Sequence, residues 1–396
     1  MFRNRQLLAL ALLALAACTS APPPKPAVPT IPAVTLHLSR ASFADLPDWS
    51  SADAGAALAA FQRSCGVLTN KPDSAPMGGA GYAGTVADWR APCAGASGDA
   101  KAFFEKNFTP YAVSGSAPDN PSLFTGYYEP QISGSRTRTG AFQTPVYGLP
   151  PDLVRADLGL FNPKLKGEHI SGKVSGHALV PYADRAQINA RGLDAPVLFY
   201  TDDAVAFFFL QIQGSGRVAF TDGSNARIAY AGENGQPYTA IGRTLIADGS
   251  LARETVSLQT IRAWLLANPA RARAVMETDK SYIFFERRAL GDTALGSTGS
   301  QGVNITPMGS IAVDQRIHAL GAPFYVAADG PDPVRSVMVA QDTGGAIRGP
   351  VRADMFFGFG ADAERRAGAM KAPGRLYVLL PNALAANLGA GRDYPQ

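Results

Sequence analysis

The chain has 396 residues, 46% of them hydrophobic and 17% charged, with 36 basic and 32 acidic residues. At about 150 residues per domain that length suggests two or three domains, and this balance excludes a disordered chain, a long coiled coil or a nucleic-acid binder driven by basic charge. With 41 glycines and 30 prolines, many short strands and turns are expected rather than a helix bundle.

Arg3 and Arg5 precede an apolar run from Leu7 to Ala17 that is too short to span a bilayer, which reads as a signal peptide over residues 1–17. The run ends in Leu15-Ala16-Ala17-Cys18, similar to a bacterial lipobox, in which Cys18 is lipidated and becomes the new N-terminus. A plain secretory signal with a chance cysteine is the competing reading. Thr19, rather than Asp, after the cysteine fits outer-membrane sorting. Proline-dense residues 18–35 form a stiff extended spacer, about 15 residues at roughly 3.1 Å each, or about 45 Å. A body held off a membrane in this way fits a periplasmic enzyme working on something large and fixed. Cys65 and Cys93 remain, either as one disulfide or as two buried thiols.

Along the body, Asp53–Cys65 and Asp99–Phe108 have helical apolar spacing, with Ser51 and Ser97 as candidate N-caps. From Phe124 the texture becomes short apolar runs broken by glycine, with strands expected over 195–200, 211–220 and 226–230. Asp222-Gly223 and Asn234-Gly235 read as hairpin turns, and 205–210 fits either a helix turn or a strand. Residues 257–278 return to helical spacing, broken at Asn268-Pro269. Strands are expected again over 281–285, 323–326, 336–340 and 375–380.

Several apparent motifs carry little. Gly79-Ala-Gly-Tyr-Ala-Gly84 matches a dinucleotide fingerprint, but no strand precedes it and no helix opens on it. His37, His169, His177 and His318 lack metal-ligand spacing, so no metal is expected. Asp342-Thr-Gly mimics an aspartic protease, whose chemistry needs a second such carboxylate, and the chain has no second copy. The informative stretch is 337–360, where Asp342 and Asp354 each lie beside glycine-rich turns and an apolar run. Phe356, Phe357 and Phe359 supply apolar surroundings that raise a carboxyl pKa, the setting of a general acid. Loop capping by both aspartates is the alternative.

Four blocks in order carry a resemblance: Phe124-Thr-Gly-Tyr-Tyr-Glu-Pro with Pro145-Val-Tyr147; Phe208-Phe-Leu-Gln-Ile-Gln-Gly-Ser-Gly with Tyr238 and Ile241-Gly-Arg243; 281–285 with 306–314; and 340–349 through Asp354 and Gly358. Together they resemble the membrane-bound lytic murein transglycosylase A (MltA) family over residues 55–392, the last block resembling its three-aspartate (3D) domain. The resemblance implies a mainly β fold with some helices: a double-psi β-barrel domain built from residues 36–130 and 268–396, and a second β-barrel-like domain inserted over 131–267, with a glycan groove between them. It implies an exo-acting polysaccharide lyase that cuts the β-1,4 bond from N-acetylmuramic acid to N-acetylglucosamine and leaves 1,6-anhydromuramoyl ends. It needs no cofactor.

By motif position Asp354 is the essential acid, Asp342 a second aspartate of the same site, and Asp362 a third, less close match. Thr125, Tyr127, Tyr128, Gln211, Gln213 and Ser215 are the implied substrate contacts, and Tyr127, Tyr128 or Phe357 could stack on sugar rings or simply pack in the core. One carboxyl group suffices because the sugar's own C6 hydroxyl is an intramolecular nucleophile of high effective molarity. Peptidoglycan strands, the membrane through the lipid anchor and cell-wall enzyme complexes are the expected partners of a monomer at the periplasmic face of a Gram-negative outer membrane. A murein hydrolase using both aspartates and a silent glycan-binding lipoprotein are the competing functions.

Overall fold

The computed structural model describes residues 35–115, 122–165, 167–330 and 332–395, so the expected signal peptide, Cys18 and all but the last residue of the spacer lie outside the described residues. In chain order, β1 (Thr35–Arg40) leads to α1 (Gly55–Leu68), α2 (Val86–Ala94), α3 (Ala100–Asn107) and β2 (Phe108–Gly115). Next come β3 (Leu123–Glu129), β4 (Gln131–Gly134), β5 (Thr144–Tyr147), β6 (Val154–Asp157), β7 (His169–Ser175), β8 (Ala178–Pro181), α4 (Arg185–Arg191) and β9 (Val197–Thr201). They are followed by α5 (Ala204–Gln213), β10 (Ser215–Phe220), β11 (Asn225–Glu233), α6 (Ile241–Ala247), α7 (Leu258–Ala267), α8 (Pro269–Met276) and β12 (Ile283–Arg288). The chain closes with β13 (Ser310–Val313), β14 (Pro323–Ala328), β15 (Val334–Asp342), β16 (Arg352–Phe359), α9 (Gly360–Ala369), β17 (Lys371–Ala372), β18 (Gly374–Pro381), α10 (Asn382–Leu388) and β19 (Gly391–Pro395).

Both ends of the chain build one ten-stranded sheet in the order β17-β3-β16-β13-β15-β14-β18-β2-β1-β19. The middle builds a four-stranded sheet β12-β11-β10-β4, the pair β5-β9 and the three-stranded β6-β7-β8. The fold is thus mainly β with some helices, and among the described residues no pairing joins β17 to β19. β14 and the centre of β15 are buried on both faces, so they read as continuous apolar runs rather than alternating ones. Against the long sheet pack Phe61 of α1, Trp89 of α2 and Phe103, Phe104 and Phe108, whose rings lie 5.1 to 6.3 Å apart. Cys65 on α1 is disulfide-bonded to Cys93 on α2.

Several expectations are corrected. Neither Ser51 nor Ser97 caps a helix: Ala54 precedes α1 without a side-chain cap, and Asp99 caps α3 by accepting from the Ala102 N–H. Helix α2 has no apolar periodicity to announce it, and Pro92 sits inside it. Residues 211–213 are helical rather than extended. Asp203 starts α5 by accepting from the N–H groups of Val205 and Ala206, and Gly214, at φ 79°, ends it. Asp222-Gly223 does turn β10 into β11. Asn234-Gly235 is no hairpin turn: the buried Asn234 side chain donates to Ala183 O and Lys280 O and accepts from Tyr282 N–H. β12, which lies beyond residue 267, pairs with β11 and so completes the four-stranded sheet of the middle of the chain.

Candidate active site

The two aspartates are twelve residues apart in sequence but second neighbours in the sheet. β13 lies between β15 and β16, and its Ala312 is in register with Asp342 on one side and with Asp354 on the other. An irregularity after Ala340 brings the aspartate, rather than Gln341, opposite Ala312. Gln341 is buried instead, donating to Ala60 O and Ser64 Oγ and accepting from Ser310 Oγ. Thr125 of β3 pairs with Asp354, so Thr125, Asp354, Ala312 and Asp342 form one row on one face, with the small alanine leaving room between the carboxyl groups. Tyr127 lies two residues further along the same face, its ring 5.1 Å from that of Phe356.

The Tyr127 hydroxyl donates to Asp342 Oδ2 at 3.0 Å. In a flat sheet the backbones of β3 and β15 would be roughly 14 Å apart, three strand spacings, beyond the reach of one tyrosine. The contact therefore requires strong coiling of the sheet at this point.

The two carboxyl groups have different surroundings. Asp342 Oδ1 accepts from Ser300 N–H (3.1 Å), Ser300 Oγ (3.0 Å) and Thr343 N–H (2.9 Å), while Oδ2 is held by Tyr127. Both of its oxygens are occupied. Burial raises its pKa, and these donors offset the rise only in part. Asp354 is half-buried and receives a single hydrogen bond, from Thr125 Oγ1 to Oδ1 at 2.6 Å. Among the described residues its Oδ2 has no hydrogen-bond partner. Burial raises the Asp354 pKa, reinforced by the Asp342 charge and opposed by the Thr125 hydrogen bond and the Arg352 charge. Burial and both aspartates push the Tyr127 hydroxyl well above its ordinary value, so it remains a donor.

Arg352 Nη2 donates to Thr125 Oγ1 at 2.9 Å, while Nη1 is anchored on Ala353 O at 2.6 Å. A guanidinium has no acceptor, so Thr125 Oγ1 accepts in that contact and its single proton is committed to Asp354. Thr343 is Asp342's own neighbour, but nothing in the local pattern marks Arg352 or Ser300 as part of the site: Arg352 reaches it through Thr125 of the paired β3, and Ser300 comes from a loop 42 residues before Asp342.

At its far end β3 contributes Glu129, fully buried. Arg217 of β10 and Arg227 of β11 are directly opposed in register, a pairing of like charges that needs a counter-ion. Glu129 supplies it: its carboxylate accepts from Arg217 Nε at 2.8 Å and from Arg227 Nε at 2.7 Å. The same arginines donate to Leu290 O, Thr293 O and Leu295 O, pinning the loop whose Ser297 donates to Ser215 Oγ at 2.9 Å.

The implied contact residues therefore separate. Thr125 and Tyr127 lie beside the aspartates, while Gln213 accepts from Tyr128 N–H of β3 and Ser215, at the start of β10, accepts from Ser297 Oγ. Gln211 is buried away from the aspartates, where it accepts from buried Arg185 and donates to Ile283 O. Tyr128 and Phe357 are buried on the other face, next to Glu364 and beneath Arg366, so neither offers a ring to a sugar. Asp362 is exposed on α9 and paired with Arg365. His318 is buried between Tyr82 and Pro350 O, and its pKa is lowered to about 4, chiefly by burial.

Residues 123–286 match the MltA specific insert domain family, and residues 309–380 match the 3D domain family. The chain is 30% identical over 308 residues to the membrane-bound lytic murein transglycosylase A of Escherichia coli K12, covering 75% of this chain and 76% of that protein. It is 31% identical over 294 residues to the protein of the same name from Vibrio cholerae, covering 72% of each. Among solved structures it is similar to a membrane-bound lytic murein transglycosylase from Agrobacterium tumefaciens, with TM-score 0.75, 31% identity, and 88% and 99% of the two chains covered. It is also similar to E. coli MltA with bound chitohexaose, with TM-score 0.66, 27% identity, and 87% and 94% covered.

Proposed function

The chain belongs to the membrane-bound lytic murein transglycosylase A family, and we propose that it cleaves the β-1,4 bond between N-acetylmuramic acid and N-acetylglucosamine in peptidoglycan, leaving a 1,6-anhydromuramoyl end. The observation that carries this reading is the asymmetry of the two carboxyl groups. Asp354 has a raised pKa and, among the described residues, one oxygen without a hydrogen-bond partner, as a general acid requires. Because the Thr125 hydroxyl donates to Oδ1, the acidic proton resides on Oδ2, the oxygen left to meet substrate.

Asp354 passes that proton to the glycosidic oxygen as the bond from C1 to that oxygen breaks. The muramoyl C6 hydroxyl then attacks C1 and returns its proton to Asp354, so no water is consumed and the enzyme ends as it began. Asp342 holds a fixed negative charge near the developing oxocarbenium ion. A hydrolase would need that second carboxylate free to activate water or attack the sugar, and the donors on both Asp342 oxygens disfavour this. The coiled sheet at the site supports a double-psi barrel for the two chain ends. The lipobox, the spacer and the membrane-bound relatives support anchorage through Cys18 at the periplasmic face of an outer membrane.

The test is mass spectrometry of muropeptides released from purified sacculi by the full chain in detergent. Products lighter by one water than their reducing counterparts are expected. Reducing ends would make the protein a hydrolase, and binding without release would make it a glycan-binding lipoprotein.

A further inference from the structure

A second feature of the site face lies at the end of β16. Strict alternation from Asp354 would place Phe359 on the same face as buried Phe357. The pairing with β3 contradicts this: Phe356 is opposite Tyr127, but Phe359 is opposite Glu129, so three steps on β16 match two on β3. Gly358 accommodates the extra residue, since its φ of 99° suits glycine. The bulge moves Phe359 to the face of Asp354, Phe356 and Tyr127, four residues of β3 beyond Thr125, or roughly 13 Å.

There the Phe359 ring lies over the Arg217 guanidinium, 3.7 Å from the ring centroid. Arg217 is itself fixed by Glu129, Thr293 O and Leu295 O. Phe359 is nevertheless 38% exposed, at the seam where the chain crosses from the long sheet (β3) into the four-stranded sheet (β4).

We propose that Phe359 is a stacking platform for one pyranose ring of a β-1,4-linked amino-sugar strand, a binding subsite more than one ring away from the bond cleaved at Asp354. A flat apolar ring held rigidly from behind matches the C–H face of a sugar and loses little freedom on binding. Continuity with the catalytic face selects a glycan as the occupant. The proposal rests on the glycan reading above, and the experiment separates the two.

Binding of chito-oligosaccharides of increasing length is measured by calorimetry on the full chain in detergent, in an Asp354→Asn background that does not consume them. Phe359→Ala and Phe359→Leu are expected to weaken the long oligomers roughly threefold to tenfold, the range of a ring-stacking contact, while Phe359→Trp retains affinity and the shortest oligomer binds as in the parent. Unchanged affinity at every length, or Phe359→Leu binding as tightly as the parent, would overturn the platform. An equal loss at all lengths would overturn it too, since a local contact cannot act on an oligomer too short to reach it. A parent that binds no oligomer would overturn the glycan reading, and the platform with it.

Discussion

β14 buries all six of its side chains and β15 most of its nine, whereas the three-stranded sheet β6-β7-β8 leaves Val154, Ile170, Val174 and Leu179 exposed, with Leu160 and Phe161 at its tip 84% and 80% exposed. The long sheet is stabilised by apolar burial on both faces, and the proposed chemistry sits on its coiled part, where carboxyl groups are held to fixed partners. Among the described residues, the three-stranded excursion contributes none to a buried apolar cluster except through its flanks. Between these extremes, the seam of the two larger sheets is joined by the Glu129, Arg217 and Arg227 ions rather than by apolar contact alone. Rigidity is thus concentrated where a proton must be placed, and a buried charge network extends it to the four-stranded sheet.

The largest effect is expected at the stiff end of this comparison. Asp354→Asn should lower muropeptide release by about 10²- to 10⁴-fold, the scale of a general acid, with the fold retained by circular dichroism. Because burial raises the Asp354 pKa, the folded state binds its proton more tightly than the unfolded chain, so ionisation costs stability as pH rises from the ordinary carboxylate range through the raised value. Thermal melts should accordingly show the Asn variant more stable than the parent at neutral pH, with the gain vanishing in acid; a variant less stable at neutral pH would contradict this assignment.

Next in size is the seam. Glu129→Gln leaves two buried, opposed arginines without their counter-ion and should cost about 3–5 kcal/mol in urea unfolding. A loss near zero would mean that the two sheets are joined without the ions.

A finer effect reads the two inputs to Asp354 against each other. Thr125→Val removes a hydrogen bond that favours the carboxylate, so the alkaline limb of the activity profile should move to higher pH, while Thr125→Ser leaves it in place. Asp342→Asn removes a like charge, and the limb of whatever activity remains should move to lower pH. Shifts in the same direction would break the proposed division of roles. The smallest effect is expected at the exposed tip, where Leu160→Ser with Phe161→Ser should change stability by no more than about 0.5 kcal/mol by thermal melting.

Much of the local structure is legible from residue pattern. Ser257 and Asn268-Pro269 mark the start of α7 and the break before α8, and the apolar runs at 323–326, 336–340 and 375–380 are core strands. Residues 211–213 mislead because a short apolar run followed by Gly-Ser-Gly fits a strand as well as a helix; only the Asp203 cap favours the helix, and its signal lies upstream of the motif. Arg352 and Glu129 escape notice in the sequence because a charged residue on a strand usually faces water, and only their partners reveal that they do not.

Residue type and local spacing alone supply the chemistry available: two aspartates beside glycine turns in apolar strands, a tyrosine- and threonine-bearing β3, and aromatic residues after Asp354. Which of these share a face is set by pairing between distant segments. The irregularity after Ala340 sets Asp342 opposite Ala312, and the one at Gly358 turns Phe359 onto the face of Asp354. Alternation along a strand is a local property, but a bulge takes its meaning from the neighbouring strand. Here those neighbours, β13 and β3, are brought alongside from elsewhere in the chain, so no reading of residues 340–359 by themselves could have oriented the site.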